Sequence, residues 1–105
     1  MIQLIKNIFG IGPKVNIGDL IANGAIILDV RTRSEYSSGH AKGSINVPLD
    51  QLSGHLKKLK DKEHPIITCC ASGMRSASAK SFLKGQGFKN VHNAGPWLML
   101  NKYCK

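Results

Sequence analysis

Two short apolar runs, AIILDV over residues 25–30 and PIITC over 65–69, constrain the fold of this 105-residue chain more than anything else in it. The first is too short for a buried helix and is bounded by Gly24 and by polar residues. It therefore reads as a strand covered on both faces, as in a parallel sheet. The second reads the same way. Three shorter strands complete the set: Lys14 to Ile17, Ser44 to Val47 closed by Pro48, and Phe88 to His92. Between them lie helical segments. Asp19 to Ala22 forms one turn ended by Asn23-Gly24, and Ser34 to Ser38 ends at Gly39. Leu49 to Lys60 carries Leu49, Leu52, Leu56 and Leu59 on helical spacing, with Gly54 weakening its start. Ala77 to Gly85 is a further helix, ended by Gly-Gln-Gly at 85–87. Gly95-Pro96 turns the chain into a last helical segment, Trp97 to Tyr103. Strands alternating with helices predict one α/β domain, a parallel sheet with helices on both faces. The length allows a single domain and no more.

The segment CASGMR, residues 70–75, joins the strand ending at Cys69 to the helix expected from about Ser76. Open parallel sheets bind ligands at the carboxyl ends of their strands, so Cys70 stands where active sites form. The loop residues Ala71, Ser72, Gly73, Met74, Arg75 and Ser76 favour a thiolate. Successive backbone N–H groups in a small loop can converge on an anion, and the following helix adds positive potential at its N-terminus. Gly73 relieves the steric cost of a sharp turn. Arg75 brings a permanent charge and a planar fork of donors. The hydroxyls of Ser72 and Ser76 are further donors. Together these should depress the Cys70 pKa and hold an anionic substrate group. Cys69, adjacent on an alternating strand, should point the other way, into the core. Cys104 falls in a polar tail.

Three cysteines, two of them adjacent, make a poor disulfide framework and suit a reducing compartment, so a cytoplasmic location is expected. A signal peptide removed from the chain stays open. There is no CxxC or HxxxH spacing, so no metal site is expected. Fifteen Lys and Arg against six Asp and Glu give a net charge of +9. Such a surface attracts anions. A small anionic substrate or an acidic protein fits it. No tract of basic residues interleaves with aromatics as a single-strand binder needs, so specific nucleic-acid binding is not expected. The N-terminal MIQLIKNIF places Met1, Leu4, Ile5 and Ile8 on one helical face and is far too short to span a bilayer. It reads as an amphipathic arm over residues 1–13, broken by GIGP, ahead of a domain over 14–105.

Two motifs resemble the rhodanese family. The segment LDVRTRSEYSSGHAKGSINVPL, residues 28–49, is similar to that family's N-terminal signature: Asp29, Arg31, Glu35, Tyr36, Gly39, His40, Gly43, Ile45, Asn46 and Pro48 fit it. The CxxGxRS loop is met by Cys70, Gly73, Arg75 and Ser76. The likeness runs over about residues 14–103. It implies a rhodanese-like three-layer α/β fold whose central five-stranded parallel sheet carries helices on both faces. It implies a sulfurtransferase in which Cys70 takes a sulfane sulfur from a small anionic donor such as thiosulfate. A thiophilic acceptor then removes it, by double displacement through a persulfide. No metal or organic cofactor is implied. Asp29 and Arg31 read as a pair bracing the active loop, His40 as scaffold, and Glu35 and Tyr36 as capping and packing. Pro96 departs from the family, which often has a second glycine there.

Two other readings compete. One is a non-catalytic binding or regulatory module of the same fold, although such relatives usually lack the loop cysteine. The other is a phosphatase or arsenate reductase of this fold, whose loop has five residues between Cys and Arg; only four separate Cys70 from Arg75.

Overall fold

The computed structural model describes residues 16–104. The proposed arm over 1–13 lies outside them, as do residues 14 and 15 of the strand expected over 14–17. Ile17, the last residue of that strand, instead lies in helix α1 (Ile17–Ala22), whose N-terminus is capped by the Asn16 side chain accepting from the Asp19 N–H at 3.1 Å. The remaining elements are β1 (Ile26–Asp29), α2 (Arg33–Ser38), β2 (Ile45–Asn46), two 3₁₀ helices (Leu49–Gly54 and Leu56–Leu59), β3 (Ile66–Cys70), α3 (Met74–Gly85), β4 (Val91–Pro96) and a 3₁₀ helix over Trp97–Leu100. The sheet is parallel throughout, in the order β2-β1-β3-β4. It thus has four strands among the described residues, where five were expected.

Alternation along the strands builds a core on each face. Leu28, Ile66 and Cys70 share one face with Val47, Leu52, Leu59, Ala79 and Leu83. Ile27, Ile67 and Cys69 share the other with Ala41 and Leu100, against which Leu20, Ile21 and Trp97 pack. The sheet is thereby sandwiched: α3 and the middle 3₁₀ helices cover one side, α1 and the C-terminal 3₁₀ turn the other. Cys69 and Cys70 lie on opposite faces, as the period-two argument requires.

Three expectations are corrected. The α-helix expected over 49–60 is two 3₁₀ segments broken at His55, whose φ is −127°. The leucine spacing permits it, and the break at His55 decides it. Leu49/Leu52 and Leu56/Leu59 are each three apart, and a three-residue turn sets such pairs directly one above the other. Leu52 and Leu59 are buried as a result. Helix α3 starts at Met74 rather than after Ser76, because Gly73 at φ +103° reverses the chain immediately before it. Gly95-Pro96 does not turn out of the sheet but ends β4, in register with Cys69 and Cys70. Strand β4 accordingly begins three residues later than the 88–92 segment read as a strand.

At the carboxyl end of β1, Asp29 and Arg31 form a buried ion pair, Nη2 to Oδ2 at 2.7 Å. Arg31 Nε donates to both Asp29 oxygens at 3.0 Å. Its Nη2 also donates to the Gly39 carbonyl at 2.6 Å, its Nη1 to the Glu35 carbonyl at 3.3 Å, and its guanidinium lies 4.7 Å from the centre of the Trp97 ring. The pair was expected to brace the cysteine loop; it braces α2 and the turn after it, because those carbonyls are what the guanidinium reaches. Removing one member of a buried pair strands the other's charge, at a cost of about 3–5 kcal/mol. Asp29→Ala should therefore lower the urea-unfolding free energy by that order. A loss under about 1 kcal/mol would show that water re-solvates Arg31.

Candidate active site

The sulfur of Cys70 is the N-terminal cap of α3. No side chain of the preceding residue caps that helix, and Gly73 in the left-handed region has none to offer. The first turn leaves N–H groups without intrahelical partners. Two point at the sulfur: Gly73 N–H donates to Cys70 Sγ at 3.0 Å and Ser76 N–H at 3.4 Å. The Ser76 hydroxyl lies 3.4 Å from the same sulfur and 3.1 Å from the Gly73 carbonyl. The turn is held against the sheet from two sides. Thr68 Oγ1 donates to the Ser76 carbonyl at 2.9 Å, and Asn93 Nδ2 to the Gly73 carbonyl at 3.3 Å. A Cβ on Gly73 would stand 3.2 Å from the Cα of Gly95, so the close approach of β4 needs glycine there as much as the positive φ does.

Burial and hydrogen bonding oppose each other at this thiol. Burial, the largest influence, pushes the Cys70 pKa up. The Ser76 hydroxyl and the backbone N–H groups of Ser76, Gly73 and Ser72 push it down, and the net shift is downward. The neighbouring Cys69 has no such donors. Burial and the nearby Asp29 carboxylate drive its pKa up to about 12. Burial raises Cys104 as well.

Cys70 is fully buried, because the α3 turn closes over it. One expectation about charge changes. Arg75 was expected to present its fork to the loop anion. Instead the fork is bidentate on Glu35, Nη1 to Oε1 at 2.7 Å and Nη2 to Oε2 at 2.9 Å. Glu35 is also N3 of a capping box on α2: its Oε1 accepts from the Thr32 N–H at 3.0 Å while Thr32 Oγ1 accepts from the Glu35 N–H at 3.2 Å. The hydrogen bond from Arg75, then those from Thr32, bring the Glu35 pKa from 4.5 down to about 2. A lowered carboxylate pKa keeps the pair intact above pH 4.5 and releases it only as the pH falls towards 2.

Of the other sequence candidates, Ala71 is exposed and Met74 is 79% exposed at the mouth of the loop. His40 is scaffold: its Nδ1 lies 2.7 Å from the Tyr36 carbonyl and its ring stacks on Tyr36. Asn46 Nδ2 donates to the carbonyls of Asp29 and Arg31, holding the end of β1. Sequence reasoning missed Asn93, which has no local motif, and the second role of Glu35. A cleft of about 370 Å³ opens beside Arg75, walled by Val30, Thr32, Pro48, Leu49 and Asp50. Val30 belongs to the same apolar cluster as Cys70, and Leu49 packs against that cluster. No helix among the described residues is long and apolar enough to cross a membrane.

Known proteins are similar to this chain in sequence and fold. A family model described as a rhodanese-like domain matches residues 16–94. The thiosulfate sulfurtransferase GlpE of Pseudomonas entomophila is 32% identical over 74 residues, 70% of this chain and 67% of that protein. The tRNA uridine(34) hydroxylase of Hamiltonella defensa is 39% identical over 74 residues, 66% of this chain, and the match spans only 21% of that longer protein. A solved structure described as a rhodanese with anions from E. coli superposes with a TM-score of 0.69 at 30% identity, over 72% of this chain and 91% of that one.

The opposed pKa shifts have a direct consequence. The pH profile of iodoacetamide modification should inflect below pH 9 for Cys70 and above it for Cys104, read by peptide mass spectrometry. Ser76→Ala should move the Cys70 inflection upward. Inflections that coincide for the two cysteines would mean that the amide cradle does not stabilise the thiolate.

Proposed function

The chain belongs to the rhodanese-like domain family, whose chemistry is sulfur transfer, and from that membership we propose that it is a sulfurtransferase carrying a sulfane sulfur on Cys70. The observation that carries the proposal is the sulfur at the N-terminus of α3, accepting from Gly73 and Ser76. A thiolate is the nucleophile in sulfur exchange, and donors aimed at its charge keep it available near neutral pH.

The reaction is a double displacement. With thiosulfate as donor, the Cys70 thiolate attacks the outer sulfur, the S–S bond breaks, and sulfite leaves with the electron pair of that bond. The Cys70 persulfide is left as its anion. A thiophilic acceptor, such as cyanide or a thiolate, then attacks the outer sulfur and the Cys70 thiolate departs. No net electrons are exchanged with an outside redox partner. The amides that stabilise the thiolate serve again when the thiolate is the leaving group. Burial matters here too, since hydrogen bonds to an anion strengthen where water is excluded. No acid–base residue is required if the thiolate is preformed, consistent with His40 being held by Tyr36 rather than facing the sulfur. For the acceptor, the +9 charge of the chain supports a thiol on an acidic protein.

Intact-protein mass spectrometry after excess thiosulfate should show the gain of one sulfur atom, located on Cys70 and removed by cyanide. Cys70→Ser should abolish the gain while circular dichroism stays that of the folded chain. Sulfur loading on Cys104 that persists in the folded Cys70→Ser protein would reassign the carrier.

A further inference from the structure

A second cavity of about 370 Å³ opens at the β2 edge of the sheet. Its walls are Arg33, Tyr36 and Ser37 of α2, Asn46 of β2, and Lys58 of the 3₁₀ helix over Leu56–Leu59. It is separate from the cysteine site: β1 lies between β2 and β3, and no residue of the 70–76 loop lines it. Two cations wall it and, among the described residues, no carboxylate does. The ion pairs among the described residues are Arg31–Asp29, Arg75–Glu35 and Lys89–Glu63. Arg31 and Arg75 are thus spent on carboxylates, while Arg33 and Lys58 are not. Residues 1–15 contain no Asp or Glu that could change this.

The remaining walls say what else a ligand needs. Tyr36 donates its hydroxyl to the Ser44 carbonyl and stacks its ring on His40, 3.7 Å between centres, so it offers ring surface that is held in place. Asn46 commits both hydrogens of Nδ2 to the carbonyls of Asp29 and Arg31, which leaves its amide oxygen as an acceptor. Ser37 brings an exposed hydroxyl. Two positive charges match the roughly −2 charge of a phosphate monoester at neutral pH. A guanidinium fork takes phosphate oxygens in pairs. The volume lies within the range of small-molecule sites, so it has room for more than a bare ion. An amide oxygen calls for a hydroxyl donor, and an aromatic ring for the apolar face of a carbon skeleton.

We propose that this cavity is a second, non-catalytic binding site, for a phosphate monoester on a small hydroxylated carbon skeleton, as in a sugar phosphate. Arg33 grips the phosphate and Lys58 supplies the second charge. Asn46 accepts from a hydroxyl of the skeleton, which lies against Tyr36. Binding is reversible, makes and breaks no covalent bond, and does not depend on Cys70 carrying sulfur.

The test is a titration of isotope-labelled protein followed by its amide shifts, at fixed ionic strength. The probes are ribose 5-phosphate, its methyl phosphodiester, inorganic phosphate and ribose. Ribose 5-phosphate should give saturating shifts at the amides of Ser37 and Asn46. The methyl diester, which keeps one negative charge, and inorganic phosphate, which lacks the skeleton, should each bind several-fold more weakly, and ribose should not saturate. Arg33→Gln and Lys58→Gln, both at exposed positions, should each raise the Kd for ribose 5-phosphate about tenfold, roughly the worth of one charge-assisted hydrogen bond. Circular dichroism checks that both fold, and either variant alone serves as the test. An unchanged Kd in a folded variant overturns the site. Shifts centred on Gly73 and Ser76 would put the phosphate at the cysteine loop and overturn it equally. Inorganic phosphate binding as tightly as ribose 5-phosphate overturns the skeleton, and a diester binding as tightly overturns the monoester class.

Discussion

The arrangement depends on a charge pair buried at the end of a strand. Two ions cannot be taken out of water unless their bonding capacity is used almost completely. Asp29 and Arg31 meet that condition. Both carboxylate oxygens accept from Arg31, and the guanidinium also reaches two carbonyls in and just after α2 while facing the Trp97 ring. Among the described residues, no buried side-chain nitrogen or oxygen lacks a partner. A pair saturated in this way has little freedom left. It fixes where α2 lies against the sheet, and α2 in turn carries Glu35 to Arg75. The buried pair thus also fixes where Glu35 meets Arg75, one step removed.

The second constraint is geometric. Gly73 must adopt a positive φ and must let Gly95 approach, and both follow from its having no Cβ. That turn starts α3 right after the loop and aims its unpaired N–H groups back at residue 70. Helix N-termini normally find an oxygen for those donors. Here a sulfur takes the place, and one group satisfies the helix while being readied for chemistry. Burial alone would have protonated the thiol, as it does for Cys69 one residue away. The two cysteines share a strand and are both closed to solvent, but Cys69 lies deeper in the protein, and only Cys70 is faced by donors.

Much of this was legible in the sequence. The runs at 25–30 and 65–69 carry enough apolar weight to be strands and nothing else, and period-two alternation separates Cys69 from Cys70 without further help. Gly73 and Ser76 were readable as loop chemistry because their contacts to Cys70 span only a few residues. What failed failed for identifiable reasons. Leucines at 49, 52, 56 and 59 satisfy α and 3₁₀ geometry almost equally, and only the break at His55 decides between them. The start of α3 was placed late because a glycine inside a loop does not announce which residue ends it. Arg75 looked free since its partner lies 40 positions away. The Thr32-x-x-Glu35 capping box was itself readable, yet a capping carboxylate still has lone pairs to spare, and no local pattern says what else it holds.

Net charge and site charge answer different questions. A surface at +9 raises the encounter rate with anions of every kind, and at physiological ionic strength that field fades over about 8 Å. Near the loop the groups within a few ångströms decide instead: Arg75, whose fork is taken by Glu35 at 2.7 and 2.9 Å, has less charge to offer an anion than the net charge of the chain suggests. Long-range attraction and short-range binding therefore answer to different parts of the same molecule.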